Sequence, residues 1–253
     1  MSSQAGAHEV EWHTSVWPLL LSVGILFFVP LAFTFHFVYK NSLMAMISLG
    51  VGAPLTIASI IGWVKEGLED SHHYGEGHVV WAMPIFILAE ALLFMGFFAA
   101  YWFLRFSAPS WPPQGTPELS HTLPLIMTVI LVSSSFTIHF AENKLEEGNN
   151  SGFIVWLIAT IALGLVFLGL EAYEWAELIG EGFTTKTNIF STAFYSITGF
   201  HGSHVLVGMA TFLFILIPAF AGKINKHFVT AASMYWHFVD IVWLFVLSQI
   251  YFL

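Results

Sequence analysis

Glu90 stands in the middle of an apolar run, Trp81-Ala-Met-Pro-Ile-Phe-Ile-Leu-Ala-Glu90-Ala-Leu-Leu-Phe-Met-Gly-Phe-Phe-Ala-Ala-Tyr-Trp102. At ~1.5 Å per helical residue it lies about 14 Å from Trp81. A run of this length crosses a bilayer, so the carboxyl group falls near the midplane. An isolated carboxylate there costs roughly 3 kcal/mol on insertion scales. The position therefore requires a partner, a proton, or both. Four further groups share this character. His201 and His204 are spaced i,i+3 in a second apolar run, and His237 and Asp240 are spaced i,i+3 in a third, which puts each pair on one helix face. A histidine doublet, His72-His73, sits in the polar stretch beside Lys65 and Glu66.

Three kinds of chemistry use such residues. Histidines can ligate a metal or a haem. However, a membrane di-iron site needs several His boxes, and this chain offers one close helical pair and one doublet, so no metal is expected on it. Intramembrane carboxyls can carry protons in a transporter, but no inverted repeat or paired broken helix is visible. Buried polar pairs can instead fix helix register in a structural subunit, with His237 and Asp240 as such a pair. A Ser-His-Asp hydrolase is not supported: no G-x-S-x-G elbow occurs, and His201-Gly-Ser-His204 is not one. No catalytic residue is assigned.

The elements that must position these groups are membrane helices. The chain has 253 residues, 57% hydrophobic and only 9% charged, against about 25% charged in a soluble domain. Seven apolar stretches near spanning length are predicted: residues 16–37, 43–63, 79–105, 120–141, 152–173, 188–220 and 234–253. None alternates as a strand would. The expected fold is an all-α integral membrane seven-helix bundle. Its parts are a polar tail over residues 1–15, a two-helix unit over 16–64, a polar loop over 65–78 and a five-helix unit over 79–253.

Pro30, Pro54, Pro84, Pro124 and Pro218 fall inside the predicted helices, tolerable where neighbours satisfy the freed carbonyls. Trp17, Trp63, Trp81, Trp102, Trp175 and Trp236 fall near segment ends, where an interfacial belt belongs. Gly50, Gly52, Gly96, Gly164, Gly169, Gly199, Gly202 and Gly208 would let helices approach closely. Four basic loop residues on the side of the N-terminus against three on the other favour a cytoplasmic N-terminus. Under that orientation Glu90, His204, His237 and Asp240 share the cytoplasmic half, while Arg105, Glu171 and Glu174 belong to the opposite face. The net charge of −9 is no nucleic-acid signature, and zero cysteines exclude disulfides, thiolate metal sites and Fe–S clusters. The first fifteen residues lack the basic start of a secretory signal.

Read together, several stretches resemble subunit III of the haem–copper cytochrome c oxidases. Tyr195-Ser-Ile-Thr-Gly-Phe-His201-Gly-Ser-His204-Val-Leu-Val-Gly208 is similar to the family's "TGFHGxHVxxG". Tyr235-Trp-His237-Phe-Val-Asp240-Ile-Val-Trp-Leu-Phe245 is similar to "YWHFVDVVWLF", and Ala89-Glu90-Ala-Leu-Leu-Phe-Met-Gly-Phe-Phe98 to "SExxFFxGFF". Trp111-Pro112-Pro113-Gln114-Gly115, Trp17-Pro18-Leu19 and Ala172-Tyr173-Glu174 resemble "WPPxG", "WPL" and "xxYE". The resemblance runs from Trp17 to Phe252.

It implies helices one and two leaning away from helices three to seven around a V-shaped phospholipid cleft. It implies a subunit with no redox centre that packs on subunit I, in company with subunit II; haem and copper belong to those partners. Lys65, Glu66, His72, His73, Glu90, His201 and His204 become expected lipid-binding positions. Lys65-Glu66 departs from the family's frequent Arg-Glu: lysine keeps the charge but loses the bidentate fork to phosphate. The implied function is aerobic electron transfer to O2 coupled to proton translocation, with this subunit stabilising subunit I and supporting proton uptake. A shorter third interhelical loop favours the plasma membrane of a bacterium over a mitochondrial inner membrane. A quinol-oxidase subunit III and an autonomous proton-coupled transporter are the alternatives.

Overall fold

A computed structural model describes residues 16–69 and 79–252. Among these residues the ordered elements are all helical. The chain divides into two compact units, Met1–His78 and Val79–Leu253.

The first unit pairs two helices. α1 spans Trp17–Leu26, with Pro18 in the opening turn, where its missing N–H is not needed. The chain then continues through two π-helical turns, Phe27–Leu31 and Thr34–Val38. Pro30 lies in the first of these. It has no N–H to give to the regular ladder, a local condition under which a helix departs from regular geometry. Lys40 adopts a positive φ of 52° and breaks the helix. Asn41 then caps α2, Ser42–Glu69, by accepting from the Met44 N–H at 3.1 Å. The two helices pack closely because Gly52 has no side chain: a Cβ there would overlap the Phe28 backbone.

The second unit holds α3 (Val79–Ser107), α4 (Thr122–Glu146), α5 (Asn150–Gly180), α6 (Ile189–Ala219) and α7 (Lys226–Val246), the last extended by a π-helical turn, Leu247–Tyr251. α4, α5, α6 and α7 pack pairwise in a closed ring, and α3 lies against α6 and α7. α7 is the central helix. Of its most apolar window 61% is buried, against 11% for α3. Its inward side chains Trp236 and Trp243 are buried, packed against Phe212 and Phe167 respectively, in one core that also holds Met127 and Leu131. Outward positions such as Phe103, Phe214 and Ile217 remain more than two-thirds exposed, as lipid-facing residues are. Polar caps set the helix starts: Asn149 accepts from Gly152 N–H, and Asn188 and Ser191 form a reciprocal capping box on α6. Gly148, at φ 73°, reverses the chain between α4 and α5.

Six helices among the described residues are long and apolar enough to cross a membrane. The first predicted span is helical but is cut by its π turns, so no single α-helix there reaches the required length. The polar segment at Lys65 does not begin a loop. α2 runs on to Glu69, because helix-forming residues carry a spanning helix beyond its apolar part. Pro124 sits in the first turn of α4, not inside it. Trp236 is no belt residue: it is 0% exposed. Of the small residues, Gly52, Gly164, Gly199, Gly202 and Gly208 do meet neighbours, whereas Gly50, Gly96 and Gly169 face open space.

Gly208 generates a test. A Cβ there would stand 2.6 Å from the enclosed Trp236 ring. Gly208→Ala is expected to destabilise by about 1–3 kcal/mol, the usual range for overpacking, whereas Gly169→Ala is not. Thermal melting of the detergent-solubilised protein separates them, and equal melting of both variants contradicts the packing described.

Candidate functional site

Glu90 and His204 meet inside the second unit. α3 carries Glu90 and α6 carries His204, and His204 Nε2 lies 3.0 Å from Glu90 Oε2. Their side chains are 17% and 11% exposed. Phe94, Phe200 and Tyr235 wall the imidazole, with ring centroids 4.9, 4.6 and 6.3 Å away. The proton inventory follows from the partners. His204 Nδ1 lies 2.8 Å from the Phe200 carbonyl, which can only accept, so Nδ1 carries a hydrogen. Nε2 then either accepts from a protonated Glu90 or, itself protonated, donates to the carboxylate. Both forms place one proton between the two groups, and both leave the pair without net charge. Partner and proton are thus supplied together, which answers the cost of a carboxyl at this depth.

His237 and Asp240 do not bond to each other. Both reach Ser135 on α4. Ser135 Oγ donates to Asp240 Oδ2, in a very close contact, and lies 3.0 Å from His237 Nδ1. With its single hydroxyl proton committed to Asp240, Ser135 can only accept from His237, so Nδ1 is the donor. This triad is one step of a seam along α4 and α7. Trp243 Nε1 donates to Thr128 Oγ1 at 2.9 Å, Trp236 Nε1 to Ser134 Oγ at 2.9 Å, and Ser233 Oγ to Glu142 Oε2 at 2.8 Å. The helices are antiparallel, so contacts that rise along α4 descend along α7.

The remaining expected residues fall elsewhere. His201 is 0% exposed, against Phe167 and Trp243, and a fully enclosed ring has no surface to offer a lipid. It leaves the lipid-facing set. Lys65 and Glu66 lie on the last turns of α2, in the first unit, with their side chains beyond what the structure describes. His72 and His73 lie outside the described residues. Among the described residues no group of three or more His, Asp or Glu side chains could hold a metal ion. Glu171 and Glu174 are both buried, 6% and 5% exposed, and Glu174 accepts from Tyr251 OH at 2.7 Å. Ser135, Thr128 and Ser134 were not singled out from the sequence. Their signal was position: hydroxyls on α4 opposite the Trp and Asp positions of α7.

The Trp111-Pro112-Pro113-Gln114-Gly115 loop is a clamp between helices. Trp111 packs edge-on against Tyr101 of α3 and Phe190 of α6, with centroids 5.5 and 5.4 Å away. Asn188, the cap of α6, donates through Nδ2 to Thr116 Oγ1 at 2.9 Å.

Two outcomes are expected. Glu90→Gln keeps a hydrogen bond to His204 and should assemble normally. Glu90→Leu strands the imidazole and should cost about 1–3 kcal/mol, an effect relieved when His204→Phe is added. Melting of the four proteins in this cycle gives the coupling directly, and strict additivity rejects the pairing. Separately, Ser135→Ala strands Asp240 and should lower the melting temperature clearly more than Ser133→Ala, whose hydroxyl bonds to Val129 O of its own helix. Equal effects of the two alanines reject the triad.

Comparison with known proteins bears on all of these residues. Residues 8–253 match the family described as cytochrome c oxidase subunit III. A cytochrome c oxidase subunit 3 from Synechocystis sp. is 38% identical over 191 residues, covering 74% of this chain and 81% of that protein. The cytochrome c oxidase subunit 3 of Drosophila melanogaster is 34% identical, covering 96% of this chain and 95% of its own length. That of Lemur catta is 35% identical over 99% of this chain and 94% of its own. The motifs around Glu90, His204 and Asp240 thus sit within a match of nearly full length, and the chain belongs to the cytochrome c oxidase subunit III family.

Proposed function

We propose that this chain is the non-redox subunit III of a bacterial haem–copper cytochrome c oxidase, embedded in the plasma membrane with seven crossings. Its partners are subunit I, with haem and copper, and subunit II. It stabilises subunit I, binds phospholipid and supports proton uptake. The seventh crossing is the helical segment of α1 with its π turns. The observation that carries the reading is the family match over residues 8–253, on a chain whose mid-helix acid of α3, Glu90, is joined to His204. A polar group committed to a helix partner serves register, the role of a structural subunit.

Lipid contact is assigned to Lys65, Glu66, His72 and His73 in the first unit. A lysine offers a phosphate a compact, mobile charge where arginine would offer a fork, so this end of α2 should accept several headgroups. Glu90 and His204 are the residues of the second unit in this set.

Mass spectrometry of the intact, detergent-solubilised complex tests the reading. The chain is expected to travel with a haem-bearing partner and with retained phospholipid, and Lys65→Ala should lower the retained phospholipid without releasing the partner. Haem or copper bound by this polypeptide alone, or proton-coupled solute uptake by the isolated chain in liposomes, overturns it.

A further inference from the structure

Among the buried polar side chains of the second unit that the contacts above leave over, two share one helix contact. Glu171 on α5 is 6% exposed, and its Oε1 has no hydrogen-bond partner among the described residues. His201 on α6 is 0% exposed, and neither of its ring nitrogens has one. Both belong to one helix contact. Gly202 directly follows His201, and a Cβ on it would stand 2.6 Å from Glu171 Oε2, so the carboxyl group lies against the α6 backbone at this step. The His201 ring meets Phe167, one turn before Glu171 on α5, and Trp243 of α7, with centroids 5.7 and 5.1 Å away. One turn before Trp243, Asp240 Oδ1 is a further buried acceptor without a partner. The next carboxyl along α5, Glu174, is by contrast satisfied by Tyr251.

Bare polar atoms in a low-dielectric interior are costly, and native proteins pair them. The demand here is specific. A neutral imidazole needs one donor and one acceptor, and a carboxyl oxygen needs a donor or a proton. Apolar rings enclose the imidazole, which excludes a bulky ligand. A divalent cation would need more converging carboxyl or imidazole groups than this step provides. Water fits: it donates and accepts, it is small, and when buried it makes about 3 hydrogen bonds to groups otherwise unsatisfied.

We propose that Glu171 and His201 form a binding site for internal water at the contact of α5, α6 and α7. The site lies roughly 18 Å along α6 from Ile189 by helical rise, far from either end of that helix. Gly202 permits it, since any side chain there would push the Glu171 carboxyl away.

A water-resolving cryo-electron-microscopy map of the intact complex tests this. Ordered density is expected within hydrogen-bonding distance of both Glu171 Oε1 and a His201 ring nitrogen. Glu171→Gln, which keeps an acceptor and adds donors, should retain it. His201→Phe, a ring that matches its aromatic neighbours, should lose it. Direct contact between the Glu171 and His201 side chains, no density between them in the wild-type map, or density unchanged in His201→Phe each overturns the site. The wild-type and Glu171→Gln maps decide the matter even where His201→Phe fails to assemble.

Discussion

In hydrocarbon a polar group finds no bulk solvent to bond with, so its partner must come from within the bundle. That constraint organises the second unit. Apolar faces cannot order the helices, because lipid tails satisfy them equally well. What distinguishes one helix neighbour from another is the match of donors to acceptors. α4 meets α7 through Thr128, Ser134, Ser135 and Glu142 facing Trp243, Trp236, Asp240 and Ser233. α3 meets α6 through Glu90 and His204. A one-residue slip of α7 along α4 would break the seam at every step, so the seam fixes register as well as contact.

The division of labour among hydroxyls follows from the same constraint. Ser133, Thr198 and Thr211 bond back to carbonyls of their own helices, at Val129, Phe194 and Val207. Such groups are satisfied wherever their helix points and carry no information about neighbours. Thr128 does both: it donates to Pro124 O and accepts from Trp243. A hydroxyl that is already satisfied at home can thus still receive an indole, which lets a large aromatic be buried with its N–H paired.

Much of the architecture was legible in the amino-acid order. Long apolar runs, broken by Lys40-Asn41, Gly148-Asn149 and Gly222 to Asn225, mark helices whatever their tertiary contacts, because hydropathy and capping are local. The weight of Glu90 was legible for a similar reason: one acid in an apolar run is visible without a partner. Its partner was not, since Glu90 and His204 are 114 residues apart and neither spacing nor periodicity links them. The i,i+3 rule placed His237 and Asp240 on one face but could not show that they meet through Ser135, a residue of ordinary appearance. Trp236 was misread because an aromatic near the end of an apolar run is equally suited to an interface or an interior. Only the crossing of α4 decides which. The π turns of the first helix escaped because backbone widening leaves composition unchanged.

The separation of Glu90 from His204 has a consequence for biogenesis. The ribosome completes α3 well before it reaches α6, and 114 residues separate the two side chains. At about 5–20 residues per second, the acid waits about 6–23 s for its imidazole. Asp240 has no such wait, because Ser135 precedes it by 105 residues and stands ready when α7 emerges. Until the imidazole arrives, nascent α3 must keep the Glu90 carboxyl protonated or hydrated.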